Sequence, residues 1–486
     1  MRRVTLNPNY SIRNEIGCSY ILPEITFARR NNLPSVIEIP PLYGHIMSKF
    51  NGGDYSRIID SLIKETGIKE LTLKSFIEKI IENKNPLEMN IGGEYLFFPE
   101  RLLVEDTHDN KIATSNDFSY TDRFVKSRPN SPFFLNLMFT SKCKTDCSYC
   151  YADRSRKDDM ELPFIKKIIK EAYLNNIVHL QISGGDIFAY THWRIVFEEL
   201  KKYNYKPFLS TKVPLGERDI LFLIDCGFES IQFSLDSLKP NIINKIIKRD
   251  GLYVDAVLEM FGYASKHKFN IDVKTVLTSL NATVENVAYM QSAFIKFTSI
   301  TSWNLIPAFY SSHQKDSNNN QPSIDQLQSV SDYLKDNKFP FAIRNNVLEK
   351  TVNNKPYENQ GDFLKENKGC AANTYAMSIL SNGMASICEM LYYNKNFYIG
   401  DIRKQSLNEI WNSKEALSLY YHNKRLEDSN KESPCYLCED LKKCKQAYIK
   451  KICYVDIANA FNNKWDYPDP RCPKAPIHDT KKVMTL

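Results

Sequence analysis

The chain has 486 residues, 43% apolar and 25% charged, with a formal net charge of +7, an ordinary globular balance on a length that suits about three domains. That charge permits an acidic peptide partner but falls short of a nucleic-acid footprint, and no apolar run reaches the ~18 residues of a membrane span. The amino end, MRRVTLNPNYSIRNE, lacks the apolar stretch of a signal peptide, so the expected location is the cytoplasm, with neither nucleic acid nor membrane as partner. In a reducing compartment the twelve cysteines point to metal or cluster ligation rather than disulfides. Cys143, Cys147 and Cys150 form one group and Cys370, Cys388, Cys435, Cys438, Cys444, Cys453 and Cys472 a second, while Cys18 and Cys226 stand alone and read as core residues.

In chain order, the strand-like runs YSIRNE, SYILPEI and SVIEI precede three helical patterns. Tyr55, Ile58, Ile59, Leu62 and Ile63 follow the i, i+3, i+4, i+7, i+8 spacing of an amphipathic helix, and Leu73, Phe76, Ile77, Ile80 and Ile81 repeat it. Asn51-Gly52-Gly53-Asp54 reads as a turn with Asp54 as helix cap. This order predicts a winged-helix-like domain over 1–95. A bridging region, 96–131, follows and holds the polar stretch Glu105 to Asn116. From Pro132 the pattern alternates: strands FFLNLMF, VHLQIS, KPFLST, SIQFSLD, NIDVKTVLT and SWNLIPAF, with amphipathic helices such as Phe164 to Leu174, Trp193 to Tyr203 and Tyr253 to Lys266. The fold class is therefore α/β, with a partial (β/α)6 barrel over 132–345. Ser311 to Pro322 is a polar loop leading into another helix. Residues 346–475, including the linker Glu366 to Gly369, are expected to form a cysteine-rich domain with short elements and little core, and 476–486 a tail.

The segment TSKCKTDCSYCYADR directly follows the first barrel strand, at the edge where such barrels carry chemistry. A zinc ion would need a fourth ligand from elsewhere, whereas three thiolates on a cubane iron–sulfur cluster leave one iron open. C-x3-C-x2-C with Tyr149 before the last cysteine resembles the signature of the radical S-adenosylmethionine (radical SAM) family. Ser183, Gly184, Gly185 and Asp186 stand where that family has its motif for the SAM amino group, with aspartate in place of glutamate. Ser234 stands near the place of the SAM carboxylate, and Arg249 where relatives put an arginine for the same carboxylate; Arg249 reads equally as a solvated residue of KIIKRDG. The resemblance implies a [4Fe-4S] cluster on Cys143, Cys147 and Cys150 whose open iron chelates SAM. An electron from a donor such as flavodoxin or ferredoxin then releases a 5′-deoxyadenosyl radical that abstracts hydrogen.

The second set, Cys370-x12-Gly383-x4-Cys388 and Cys435-x2-Cys438-x5-Cys444 with Cys453 and Cys472, resembles the SPASM extension of peptide-modifying radical SAM enzymes, as does the text from Phe397 to Trp411. The gap of eight residues between Cys444 and Cys453 is longer than the family's. C-x2-C occurs once in this set, which disfavours zinc ribbons. The resemblance implies two auxiliary [4Fe-4S] clusters. Cys435, Cys438, Cys444 and Cys472 complete one; Cys370, Cys388 and Cys453 leave the other a ligand short, open to a substrate thiolate, a solvent molecule or a non-cysteine side chain. Glu389 stands where sulfatase-maturing relatives have a carboxylate base, and reads otherwise as a structural carboxylate.

The N-terminal unit resembles a RiPP recognition element, which adds a leader peptide as a strand at a sheet edge. SVIEI would be that edge, with Phe76 and Ile80 lining the groove; TLKSFIEKIIENK is too evenly charged for a DNA-recognition helix. Together these resemblances imply a maturase that docks the leader of a ribosomally made precursor peptide and installs thioether cross-links of the sactipeptide or ranthipeptide type. Carbon–carbon cross-linking of side chains (cyclophane or streptide type) is the alternative within enzymes. A non-catalytic leader-binding escort is the alternative outside them, and it has no need of an open iron.

Overall fold

In the computed structural model, which describes residues 2–91, 94–105, 121, 123–311, 313–314, 320–348, 356–367, 369–423, 431–447 and 450–483, the chain divides into two units at Asn130/Ser131. The first contains β1 (Arg3–Leu6), β2 (Tyr10–Glu15), β3 (Cys18–Pro23), α1 (Ile25–Arg30), β4 (Ile37–Ile39), α2 (Pro41–Ser48), β5 (Asn51–Asp54), α3 (Tyr55–Thr66), α4 (Glu70–Glu82), β6 (Leu87–Ile91), β7 (Glu94–Phe98) and β8 (Leu103–Glu105). Its sheets run β5-β1-β8 and β2-β3-β4, beside the hairpin β6-β7. Helix α3 starts where the sequence indicates, because Asp54 accepts the Arg57 N–H at 2.9 Å, and it ends at left-handed Gly67.

Two expectations for this unit are corrected. Asn51 to Asp54 is not merely a turn but a strand, held antiparallel to β1, with its last residue doubling as the cap. Ile80 is fully buried in the unit's core and lines no groove, since hydrophobic positions on α4 are consumed by packing. Phe76 is half-buried, its ring 5.5 Å from Phe98 of the unexpected hairpin and 5.2 Å from Tyr43. Most of the polar stretch Glu105 to Asn116 lies outside the described residues. Cys18 is buried, as expected, and burial pushes its thiol up to about 12.

The second unit opens with β9 (Phe134–Thr140), α5 (Leu162–Leu174), β10 (His179–Gly184), α6 (Trp193–Lys202), β11 (Ser210–Thr211), α7 (Glu217–Asp225), β12 (Ser230–Ser234), α8 (Pro240–Ile247), α9 (Gly251–Lys266), β13 (Asn270–Leu277), α10 (Val284–Phe294) and β14 (Ile300–Pro307). There follow α11 (Ile324–Asp336), β15 (Ala342–Asn345), α12 (Gln360–Glu366), β16 (Ala376–Ile379), β17 (Met384–Ser386), β18 (Tyr398–Asp401), α13 (Leu407–Trp411), α14 (Lys414–Tyr420), α15 (Leu441–Gln446) and α16 (Tyr454–Ala460). Strands β11 to β15 form one parallel sheet, and β9 pairs in parallel with β10. The six expected strands are present, and β15 extends them. Cys226 is buried in this core.

The cysteine-rich region is better packed than its sequence suggests. Strand β16 adds in parallel to the other edge of β9, with Ala376 opposite Phe134 and Ile379 opposite Leu137, and β17 and β18 continue the sheet antiparallel. Met377, Ile379, Ala385, Ile399 and Trp411 thereby join the hydrophobic core of the barrel. Helix α5 grips the same region: Lys167 donates to the carbonyls of Ile402 and Gln405, and Glu171 accepts the Leu407 N–H at the start of α13. Among the described residues no helix is long and apolar enough to cross a membrane. Ile379 is fully buried at the junction of the two parts, so Ile379→Ala is expected to cost about 2–5 kcal/mol, measured as a lower denaturant midpoint for unfolding.

Candidate functional site

The chain leaving β9 passes so close to the end of β10 that only glycine fits. A Cβ on Gly184 would lie 2.1 Å from the Thr140 carbonyl oxygen, and one on Gly185 2.0 Å from that of Lys142. Gly184 also has φ +133°, which L side chains rarely adopt. The close approach lets Gly185 and Asp186 donate their N–H groups to Thr140 and Lys142 at 2.8 Å each. Further along the loop, Asp146 and Ser148 donate to the carbonyls of Ile247 and Ile246 at the end of α8, groups that a helix terminus leaves unpaired. Asn320, Gln314 and Ser311, between β14 and α11, donate to the carbonyls of Ser148, Tyr149 and Tyr151. Cys143, Cys147 and Cys150 therefore sit on a backbone tied down from three sides.

The three thiols are brought together: Cys150 and Cys147 raise the cost of ionising Cys143, and Cys150 that of ionising Cys147. Cys143 faces solvent on one side, yet burial pushes its thiol up to about 12, helped by Asp186, Cys150 and Cys147. Burial also raises Cys147, against the pull of the Lys212 ammonium. Crowded, desolvated thiols of this kind fit a multi-iron cation core, which displaces their protons on binding. Asp186 is placed differently from its expected role: its carboxylate accepts from Thr211 Oγ1 at 2.8 Å, the Lys212 N–H at 2.9 Å and the Phe188 N–H at 3.1 Å. It joins β10 to β11. Arg249 is exposed, its guanidinium 5.9 Å from the centre of the Tyr253 ring. Ser234 lies at the end of β12, where its carbonyl accepts from Lys212 at 3.2 Å.

Sequence reasoning missed Lys212 and Asp236. Lys212 Nζ lies 2.8 Å from Asp236 Oδ2, and the Tyr149 hydroxyl donates to the same oxygen at 2.7 Å. The available signal was position, since each is a polar residue just past a barrel strand.

Glu389 is brought to the motif of β10: Ser183 Oγ donates to its Oε2 at 2.8 Å. Burial raises the Glu389 carboxyl above the ordinary glutamate range, and the Ser183 hydrogen bond offsets part of that. Tyr151 and Tyr392 both feel the charges of Glu389, Cys150 and Cys388, so these groups share one region between the first cysteine set and the second. Tyr392 holds φ +38°, a strained conformation for a tyrosine.

The second cysteine set separates into two pockets. Cys370, Cys388 and Cys453 line one with Tyr420, Lys450 and Tyr454; Cys435, Cys438, Cys444 and Cys472 line the other with Gln360. His422 and Ile452 line both. Gln360 reaches Cys444 and Cys472 at 3.3 and 3.5 Å. Cys453 reaches its pocket despite the long gap, its N–H held by Asp469 at 2.8 Å, and Asp469 is in turn paired with Arg471. Burial raises Cys370 and Cys453, and pushes Cys388 and Cys472 up to about 12. Four thiols in one pocket fit a fully ligated cluster, and three in the other fit a cluster lacking one cysteine.

Residues 137–290 match the radical SAM superfamily and residues 370–445 match an iron–sulfur cluster-binding domain, SPASM. A domain of the first kind holds a [4Fe-4S] cluster and SAM, and one of the second holds auxiliary iron–sulfur clusters. Among solved structures, Streptococcus suis SuiB bound to precursor peptide SuiA is similar at a TM-score of 0.61 and 14% identity, covering 98% of this chain and 100% of that one. SuiB bound to SAM gives 0.58 and 13%, covering 96% and 98%. A probable GTP 3′,8-cyclase of Methanococcus maripaludis is 29% identical over 116 residues, 23% of this chain and 39% of that protein; the chain thus spans well under two thirds of this curated relative. Gly185→Ala is expected to push Lys142 aside and cost one [4Fe-4S] cluster's worth of iron and sulfide per chain, measured chemically after reconstitution, while the auxiliary complement remains.

Proposed function

We propose that this chain, a radical SAM enzyme of the SPASM subfamily, matures a ribosomally made precursor peptide by joining a cysteine of the peptide to another of its residues through a thioether. The single observation that carries this reading is the convergence of Cys150, Cys388, Tyr151, Tyr392 and the Ser183–Glu389 pair on one region. A cleft set between the two cysteine groups suits a substrate that loses a hydrogen on one side and an electron on the other. Support for a peptide comes from the overall likeness to SuiB, whose structure holds a precursor peptide.

In this reading Cys143, Cys147 and Cys150 hold the first cluster, with the backbone of Ser183 to Asp186 and Ser234 near SAM. Bound together, cluster and SAM supply a 5′-deoxyadenosyl radical that abstracts hydrogen from the peptide. Cys435, Cys438, Cys444 and Cys472 hold one auxiliary cluster. Cys370, Cys388 and Cys453 would hold the other, with no fourth cysteine among the described residues lining their pocket, and this reading places a substrate thiolate as the remaining ligand. Glu389, oriented by Ser183, takes up the proton that the substrate thiol gives up on becoming a thiolate. The N-terminal unit acts as the leader-binding element, with β4, one of the two outer strands of its sheet, offered for strand addition. An acidic one-electron donor such as flavodoxin or ferredoxin fits the chain's positive net charge.

A second reading, carbon–carbon cross-linking, is favoured if the three-cysteine pocket is completed from within. His422, Lys450 and Tyr454 line it, and a fourth ligand from this chain would exclude the substrate thiolate. The test is the mass of a cysteine-containing precursor peptide co-expressed with the enzyme, before and after thiol alkylation. Loss of two hydrogens with one fewer alkylatable thiol per modification is expected; loss of two hydrogens with every thiol free would establish the second reading. Because the Glu389 carboxyl titrates above its usual range and must be ionised to accept a proton, product formation is expected to rise with pH through that raised value. Glu389→Gln is expected to abolish this limb of the pH profile and lower product at least about tenfold, while 5′-deoxyadenosine release, read by chromatography, continues.

A further inference from the structure

The ion pair Lys212–Asp236 is the most deeply buried charge pair beside the first cysteine set among the described residues. Asp236 is 0% exposed and the Lys212 side chain 12%. Burying such a pair adds little to stability, since apolar residues of the same volume would do as well, so its presence calls for another account. Every neighbour fixes it in place. Asp186 accepts the Lys212 N–H, and the Tyr253 hydroxyl donates to the Lys212 carbonyl at 3.0 Å. The ammonium donates to Asp236 and to the Ser234 carbonyl and lies 5.6 Å from the centre of the Tyr149 ring, on the loop between Cys147 and Cys150. Asp236 is itself saturated, accepting from Tyr149 and Lys212 on one oxygen and from the Val276 N–H at 3.1 Å on the other. The arrangement holds a cation rigidly behind the cysteine loop, with one of its three N–H groups not committed to Asp236 or Ser234.

We propose that Lys212 is a positioning residue for reduction of the first cluster: its fixed positive charge raises the reduction potential of the cluster held by Cys143, Cys147 and Cys150. The physical reason is that a cluster gains negative charge when it accepts an electron, and a cation in a poorly screened interior stabilises that state. Asp236 opposes this, but its carboxylate is offset locally by the hydrogen bonds it accepts from Tyr149, Lys212 and Val276, whereas the ammonium lies 5.6 Å from the centre of the Tyr149 ring. The Asp236 carboxylate and the Ser234 carbonyl both accept from Lys212 Nζ and favour its charged form.

This inference rests on assigning the first cluster to those three cysteines, but it needs no peptide, so it fails or stands separately from the maturase reading. The experiment is an anaerobic redox titration of the reconstituted holoenzyme followed by electron paramagnetic resonance, with the first cluster identified as the one whose signal changes when SAM is added. Lys212→Met is expected to lower the ratio of reduced to oxidised first cluster about tenfold at the parent's midpoint. Lys212→Arg, which keeps the charge, should stay within about twofold, and Asp236→Asn should shift the ratio the other way. A Lys212→Met ratio within about twofold of the parent, with the SAM-responsive signal intact, would overturn the proposal. So would shifts of the same sign in Lys212→Met and Asp236→Asn, and, should Lys212→Met load no cluster, the absence of an upward shift in Asp236→Asn.

Discussion

Two carbonyl oxygens set the geometry on which the rest of the candidate site depends. Thr140 and Lys142 turn their oxygens onto Gly185 and Asp186, at a separation that leaves no room for any side chain on Gly184 or Gly185. The end of β10 thus acts as a backbone template for the first residues of the cysteine loop. Loops ordinarily trade precision for adaptability; here the N–H and C=O groups of the loop are claimed by β10, by α8 and by the segment before α11. A cluster held on such a loop would inherit the rigidity of the sheet, which electrostatic placement of a cofactor requires.

Strand β9 carries a second burden. One edge pairs with β10 and the other with β16, so a single strand sets the register of both the loop that begins at Ser141 and the β16-β17 hairpin that leads to Cys388 and Glu389. The Ser183–Glu389 hydrogen bond joins residues 206 positions apart, and it exists because two parallel strands flank the same neighbour. A one-residue slip of β16 would turn its side chains to the opposite face and carry Glu389 away from Ser183. The barrel and the SPASM region therefore share a core as well as a sheet, and the spacing between cysteine sets is a property of strand register.

Electrostatics in the second unit follow the same pattern of burial answered by a local partner. Thiols in all three cysteine groups are pushed up by desolvation, which disfavours single thiolates and leaves a bound metal core as the group that makes their ionisation favourable. Lys212 and Asp236 are the exception, a charged pair buried behind the loop, with Asp236 accepting from Tyr149 and Val276 and Lys212 donating to the Ser234 carbonyl.

Local features were legible in the sequence. The periodicity of α3, with Asp54 and Gly67 at its ends, specifies a helix whatever it packs against, and so do the helices of the barrel. The C-x3-C-x2-C spacing after a strand needed no coordinates, because that ligand spacing is a property of a short stretch of chain; the division of the later cysteines into a set of three and a set of four came from the resemblance to the SPASM extension. Residues whose role depends on distant partners were not legible: Lys212 and Asp236 meet across two strands, Ile80 looks like a groove residue until the core claims it, and Asn51 to Asp54 reads as a turn until β1 pairs with it. Arg249 shows the converse, a chemically sensible residue that the end of α8 leaves in solvent. The sequence by itself determined the chemistry on offer, because thiol spacing and amphipathic period are local; only the tertiary structure decided which charges face that chemistry, because their partners are set by strand register and burial between residues far apart in the chain.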